Sequence, residues 1–356
     1  MAGVVRLGSW LAALLRILAG VAPGFASEQH CQLLGLMATT SSPGVCMPAA
    51  GLGTGDVADF TESSCGWFCN LTQRFYSIGG RRTDSSDSYG VEVGLGIAMQ
   101  RSGLKREDLF ITSKVGPPNW NFPMGYNSTL RQVDEILRNY STTYVDLLLV
   151  HQPFPFAPAL AGWPTSDAVC DLDSKSYNEV QCRLLTWRAM LEIWRAGKAR
   201  AVGVSNFGVE HLRQIADAGL PLPALNQVPL SPCQPQRELR KFCSAHGIRV
   251  QAYSAFGGNV KGGSLLKHPK IQEIAQAHDI DTAQVILNWM WRNNITSNPG
   301  FKPCPLFSKQ PCKMAPQPPL KYMEANLHFI DGIALTDGDM RTMDSLGDEP
   351  GVPLVV

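Results

Sequence analysis

Polar residues able to move protons or form strong hydrogen bonds recur at the ends of short apolar runs in this chain. Asp84 closes the run 76–84, Lys114 follows 109–113 and His151 follows 145–150. Ser205 and Asn206 follow 201–204, Gln227 closes 224–227 and Tyr253 follows 250–252. A carboxylate, ammonium or amide ending an apolar strand is costly to desolvate unless something pairs with it. Any one of them alone is commonly a satisfied structural group. Together they put an acid, a cation, an imidazole, amides, a hydroxyl and a phenol at one end of a sheet, the composition of a shared polar pocket.

The elements that must position these residues alternate in type. Eight apolar or β-branched runs read as strands, at 49–54, 76–84, 109–113, 145–150, 201–204, 224–227, 250–252 and, in degraded form, 295–298. Segments 91–101, 130–139, 184–196, 209–218, 236–245 and 282–291 carry apolar residues at helical spacing. This alternation predicts an α/β fold, a (β/α)8 barrel of the TIM type with the helices as its outer ring. Asp281 followed by Gln284 reads as a capping box, and Thr336 followed by Asp339 as the start of a C-terminal helix. Segments 152–181 and 299–320 are too long for ordinary turns. They follow strands, so they are expected as long loops at the C-terminal rim, where barrel active sites are built.

The charge balance of the 356-residue chain, 31 Lys and Arg against 30 Asp and Glu with no long basic block, excludes the electrostatic footprint of a nucleic-acid binder. No Gly-x-Gly-x-x-Gly follows a predicted strand, which argues against a Rossmann dehydrogenase. Cys65-x-x-x-Cys69 has no second ligand pair nearby, so a disulfide or free thiols are expected there and no metal site is assigned.

Several of these segments together resemble the aldo-keto reductase family. Gly51-Leu52-Gly53-Thr54 is similar to its first-strand motif, and residues 79–96, reading GGRRTDSSDSYGVEVGLG, resemble its signature with Asp84 and Tyr89 five residues apart. Residues 108–114 and 145–151 resemble the segments that supply its lysine and histidine; 197–207, 226–228 and 252–254 resemble those around the cofactor amide. The resemblance runs from about Val45 to Leu346. It implies reduction of aldehydes or ketones, with Tyr89 as general acid, Lys114 paired with Asp84 favouring the phenolate, and His151 orienting the carbonyl. It implies NADPH as cofactor, NADH being possible, held by Gly53, Thr54, Asp84, Ser205, Asn206, Gln227, Ser254 and Asn326, with Tyr253 stacked on the nicotinamide. The partner implied is a small carbonyl compound, and the protein is expected as a monomer. A non-catalytic nucleotide-binding barrel subunit of the same family is the alternative.

The resemblance breaks where the family grips the adenosine 2′-phosphate. An Ile-Pro-Lys-Ser-like run is replaced by Ser297-Asn298-Pro299-Gly300-Phe301, and Tyr322 and Ala325 stand where Arg and Glu are usual ahead of Asn326. Lys302, Lys309 or Lys313 could substitute. Val91 stands where Asn is usual and Gly116 where many members carry an aromatic. Trp120, Phe122, Phe154, Phe156 and Trp163 could line the substrate pocket.

Residues 1–26 read as a signal or targeting peptide: Arg6, two apolar stretches around Arg16, and small residues up to Ala26. A secretory route is favoured over organelle import or the cytoplasm, and no membrane span is expected after processing. Residues 27–44 then form an N-terminal extension and 45–356 the barrel. All ten cysteines lie beyond Ala26, with Cys65/Cys69 and Cys170/Cys182 spaced as local pairs, and sequons occur at Asn70, Asn127, Asn139 and Asn294.

Overall fold

Runs such as Val145–Val150 and Phe110–Val115 are buried at every position, as strands covered on both faces must be. The computed structural model describes residues 31–34, 44–55, 64–116, 124–153, 168–170, 175–257, 265–301 and 317–348. Eight strands form one sheet in sequential order: β3 (Leu52–Gly53), β4 (Arg82–Asp84), β5 (Phe110–Val115), β6 (Val145–Val150), β7 (Ala199–Ser205), β8 (Leu225–Pro229), β9 (Arg249–Tyr253) and β10 (Ile295–Ser297). All neighbouring pairs are parallel. The outer edges meet where Gly53 N–H donates to the Pro299 carbonyl at 2.9 Å and Gly53 bridges Gly300. A Cβ on Gly53 would stand 2.7 Å from the Asn298 carbonyl oxygen, so only glycine permits this approach. The expected βα barrel is therefore formed.

Arg82 fastens the same seam from inside. Its buried guanidinium donates to the carbonyls of Ala49 at 2.7 Å and Ser297 at 2.8 Å, and to Asn298 Oδ1 at 2.6 Å. Burial pulls its pKa down to about 10, against the attraction of Asp84. Neutral acceptors from both edge strands thus satisfy a cation that the core would otherwise reject.

The sequence reading misplaced some elements. Residues 76–84 are not one strand: the helix Trp67–Ser77 takes up Tyr76, and β4 starts only at Arg82. Phe68, Leu71, Phe75 and Tyr76 are buried at helical spacing, and Gly79, at φ +101°, turns the chain out of the helix. The helices Pro269–His278 and Leu320–Leu327 were also missed, and Glu179–Arg195 starts earlier than expected because Asn178 Oδ1 accepts from Gln181 N–H at 3.0 Å. The Asp281/Gln284 and Thr336/Asp339 capping boxes are both formed.

At the N-terminal side, β1 (Cys31–Leu34) pairs antiparallel with β2 (Val45–Pro48), and a Cys31–Cys46 disulfide joins them. Gln32 donates to Asn294 Oδ1 at 3.2 Å and Arg249 Nε to the Leu33 carbonyl at 3.3 Å, which sets this hairpin against the starts of β9 and β10. Disulfides also join Cys65 to Cys69 and Cys170 to Cys182, while Cys233 and Cys243 are buried thiols. Residues 1–30, Cys304, Cys312, the loop aromatics and the loop lysines named above lie outside the described residues. Among the described residues, no helix is long and apolar enough to cross a membrane, and no group of His, Cys, Asp or Glu could hold a metal.

Candidate active site

Asp84 is the last residue of β4, in register with Gly53 and Thr112 on its neighbours. Lys114, near the end of β5, reaches back across that register. Its Nζ donates to Asp84 Oδ1 at 2.7 Å and to the Ser85 carbonyl at 2.7 Å, with the lysine side chain only 1% exposed. Desolvation of such a pair is repaid only if the remaining lone pairs are met. Asp84 Oδ2 accepts from Gln227 Nε2 at 2.8 Å, which meets that condition. Burial opposes the Lys114 charge, but Asp84 and then Tyr89 outweigh it and hold its pKa above the ordinary lysine value.

Tyr89 ends a 3₁₀ turn, Asp87–Tyr89, that Ser86 caps by accepting from Ser88 N–H. Gly90, at φ +65°, releases the chain into the helix Glu92–Ser102. The turn presents the phenol between two groups. Lys114 Nζ lies 5.2 Å from the ring centroid, and His151 Nε2 lies 3.5 Å from the hydroxyl, at the limit of hydrogen-bond reach. A Cβ on Gly55 would meet the Tyr89 ring at 3.1 Å, so the glycine-containing first loop runs hard against the phenol.

His151 follows β6 and is held by its own N–H, which donates to the Val115 carbonyl at 2.7 Å. Its Nδ1 lies 3.1 Å from Ser86 Oγ, which is 2.8 Å from Ser88 Oγ. Burial, and then the Lys114 charge, lowers the His151 pKa to about 3. The ring is therefore neutral across the physiological range and offers one N–H and one acceptor.

The remaining strand ends complete a continuous network. Ser205 Oγ donates to the Gln227 carbonyl at 2.9 Å, and Asn206, in left-handed backbone at φ +64°, donates through Nδ2 to the His151 carbonyl at 2.9 Å. Tyr253 hydroxyl donates to Asn206 Oδ1 at 2.7 Å. Thr54 Oγ1 and N–H both donate to the Asp84 carbonyl at 3.0 Å. Asp84, Tyr89, Lys114 and His151 are thus brought together with Thr54, Ser205, Asn206, Gln227 and Tyr253.

Three other sequence candidates serve the backbone or border a neighbouring cavity. Gly53 serves the barrel seam, Asn326 borders a small cavity with Ser297 and Pro299, and Ser254, at φ +53°, carries the turn after β9 through its carbonyl. Tyr322 is 45% exposed, its ring under the Lys321 ammonium. Sequence reasoning overlooked Ser86, Ser88 and a buried group behind the acid. Gln132 there donates to Asp87 Oδ2 at 3.0 Å and accepts from Gly116 N–H at 2.8 Å. Burial raises the Asp87 pKa to about 6 and holds that of Glu92 well above the carboxylate range. Ser86 could have been noticed as a cap; nothing in the sequence linked Gln132 to Asp87.

The arrangement can donate a proton from a phenol flanked by a cation and a neutral imidazole, beside the amide side chains of Asn206 and Gln227. A family model described as "Aldo/keto reductase family" matches residues 68–346. D/L-glyceraldehyde reductase of Hypocrea jecorina is 36% identical over 262 residues, covering 70% of this chain and 75% of that protein. Glyoxal reductase of Bacillus subtilis (strain 168) is 34% identical over 256 residues, covering 72% and 79%. Among solved structures, an aldo/keto reductase from Brucella melitensis aligns with TM-score 0.66 at 27% identity, over 89% of this chain and 99% of that one. The aldo-keto reductase AKR2E5, solved complexed with NADPH, shares the fold with TM-score 0.69 at 23% identity over 89% and 88%.

Proposed function

This chain belongs to the aldo/keto reductase family, and from that premise we propose that it reduces aldehydes or ketones to alcohols with NADPH or NADH, Tyr89 supplying the proton. The observation that carries the reading is the phenol set between the Lys114 ammonium and a neutral His151. A carbonyl under reduction builds negative charge on its oxygen, and an acid must answer that charge as it appears. An ammonium about 5 Å from the phenol, at an effective dielectric of about 20, favours phenolate by on the order of 3 kcal/mol before the opposing Asp84 charge is counted. Lys114 eases proton release in this way, and neutral His151 can donate to the carbonyl without competing as a cation.

The donor set fits a nicotinamide. Its carboxamide both donates and accepts, and Ser205, Asn206 and Gln227 carry both kinds of atom at the ends of β7 and β8, their protons now shared with one another, with Asp84 and Gln251 and with backbone carbonyls, the Tyr253 ring alongside. Bound there, the reduced ring supplies the hydride. Asn206 would fix its orientation, since the same side chain is tied to the His151 carbonyl and to Tyr253.

A non-catalytic nucleotide-binding barrel is the second reading, favoured by the missing phosphate residues at Gly300, Tyr322 and Ala325. Titrating the protein with NADPH and NADH by intrinsic fluorescence, then following cofactor absorbance with a reactive test aldehyde, separates the two. Tight binding with turnover supports the enzyme; tight binding without turnover supports the second reading; binding of neither rejects both. We also propose that the chain is processed near Ala26, follows the secretory route and acts as a monomer. Disulfides and the exposed sequon residues Asn70, Asn127 and Asn294 support the secretory reading.

A further inference from the structure

A second polar cleft lies at the other end of the barrel. It has a volume of about 540 Å³ and is lined by Arg237, Arg240, Lys241 and Arg249 together with Asn293 and Asn294. Arg249 and Tyr253 begin and end the same five-residue strand, so the cleft and the active site stand roughly 13 Å apart along it at about 3.3 Å per residue. Arg237, Arg240 and Lys241 fall at helical neighbour spacing on Arg237–Ala245 and therefore share one face.

The cations are poorly neutralised. Arg237 alone makes an ion pair, with Asp348 at 2.9 Å. Arg240 donates to Asn293 Oδ1 at 2.7 Å and to the Pro235 carbonyl, and Arg249 to the Leu33 carbonyl; all of these acceptors are uncharged. Among the described residues, Arg240, Lys241 and Arg249 have no carboxylate partner, and no acidic residue lines the cleft. Burial lowers the Arg240 pKa against the pull of Asp344, and Arg237 lowers it further. Asp344 acts on Arg240 only through space, its Oδ1 turned to Trp289 Nε1 at 2.8 Å. In a chain with a net charge of only +1, such crowding focuses positive potential into one concave site.

We propose that this cleft binds a multiply charged anion, a phosphate or sulfate ester of about monosaccharide to disaccharide size, separately from the active site. Guanidinium groups held by neutral acceptors keep donors for phosphate or sulfate oxygens, and the volume falls within the ordinary range of small-molecule sites. Lys241, exposed on the rim, adds a mobile charge.

The test is calorimetric titration of the full chain, produced without N-glycans so that Asn294 stays an amide and with NADPH saturating, using fructose 1,6-bisphosphate and a sulfated heparin disaccharide as probes. Saturable binding of one or both is expected, weakening as salt rises. Preference for the bisphosphate identifies a phosphorylated metabolite as the source, and preference for the disaccharide a sulfated glycan. Lys241→Glu, a change at an exposed position, should weaken binding at least tenfold and leave the NADPH dissociation constant unchanged. Arg240→Gln should do the same; if it fails to fold, Lys241→Glu alone decides. Absence of saturable binding by both probes, equal affinity in Lys241→Glu, or binding seen only without NADPH would overturn the proposal, the last by assigning the anion to the cofactor site.

Discussion

Ser86 Oγ and His151 Nδ1 lie 3.1 Å apart, so a serine that also caps the turn carrying Tyr89 shares a hydrogen bond with the imidazole beside it. The mechanism proposed for His151 needs Ser86 as donor to Nδ1, which leaves the hydrogen on Nε2, toward the phenol and the carbonyl. Ser86→Ala removes this bias, and a hydrogen bond of about 1 kcal/mol corresponds to roughly fivefold in kcat/KM. The NADPH dissociation constant should stay unchanged. Nitrogen shifts of His151 should report a mixed tautomer; a single unchanged tautomer together with full activity would remove Ser86 from the mechanism.

Tyr89→Phe should cut turnover by about 10²–10⁴ with cofactor affinity nearly intact, because only the hydroxyl at the reacting centre is lost. Lys114→Met should lower the rate comparably and also destabilise the fold by about 3–5 kcal/mol, since it strands buried Asp84 without its cation. The double mutant should be little slower than either single one, as the lysine acts through the phenol. Steady-state rates and urea unfolding of all three measure this. A folded, cofactor-binding Tyr89→Phe protein with near wild-type turnover rejects the mechanism.

Stability should respond to pH through two groups of opposite sign. His151 titrates near 6.5 when unfolded and at about 3 when folded. Its contribution is present above pH 6.5 and is lost as pH falls toward 3, because the unfolded chain takes up the proton first. Asp87 is raised from 3.8 to about 6, so its contribution is present below pH 3.8 and is lost as pH rises through 6. Urea midpoints across pH 3–7 should therefore show His151→Gln less acid-sensitive than wild type, and Asp87→Asn gaining on wild type as pH rises. Parallel curves for all three proteins would contradict both assignments.

Discrimination between NADPH and NADH should be weaker than the family's usual strong preference. Gly300 and Tyr322 stand where Lys and Arg are usual, and each missing charge-assisted bond costs about 1.5–3 kcal/mol, roughly tenfold or more. Dissociation constants for the two cofactors decide it. A preference of several thousandfold for NADPH would mean that loop lysines had taken over the clamp.

Protein from its native source should begin near Ser27 and carry glycan on at least one sequon. Asn70, Asn127 and Asn294 are exposed. Intact mass before and after glycan removal measures both points, and an unprocessed, unglycosylated chain with ten free thiols would reject the secretory route.

The barrel and most of the site were legible because both depend on local order. β-Branched runs at one spacing and amphipathic runs at another set the alternation, and polar residues that close those runs fall at the rim whatever the detailed packing. The helix Trp67–Ser77 was hidden because Tyr76 and Ile78 read equally as the start of a strand, and only packing against the core chose between them. The phosphate-side residues could be identified only as departures, because Gly300 and Tyr322 show which charges are missing and nothing of what stands in their place.

By itself, the amino-acid sequence determined the fold class and the family and singled out Asp84, Tyr89, Lys114 and His151 as candidates, since these rest on residue type and order along the chain. Tertiary structure decided the rest. That Ser86 meets His151 across 65 positions, that Gln227 meets the second oxygen of Asp84 across 143, and that Arg237, Arg240 and Arg249 share a cleft all follow from barrel closure. Closure brings together side chains whose separation along the chain carries no local signal, and hydrogen bonding and charge act through space alone.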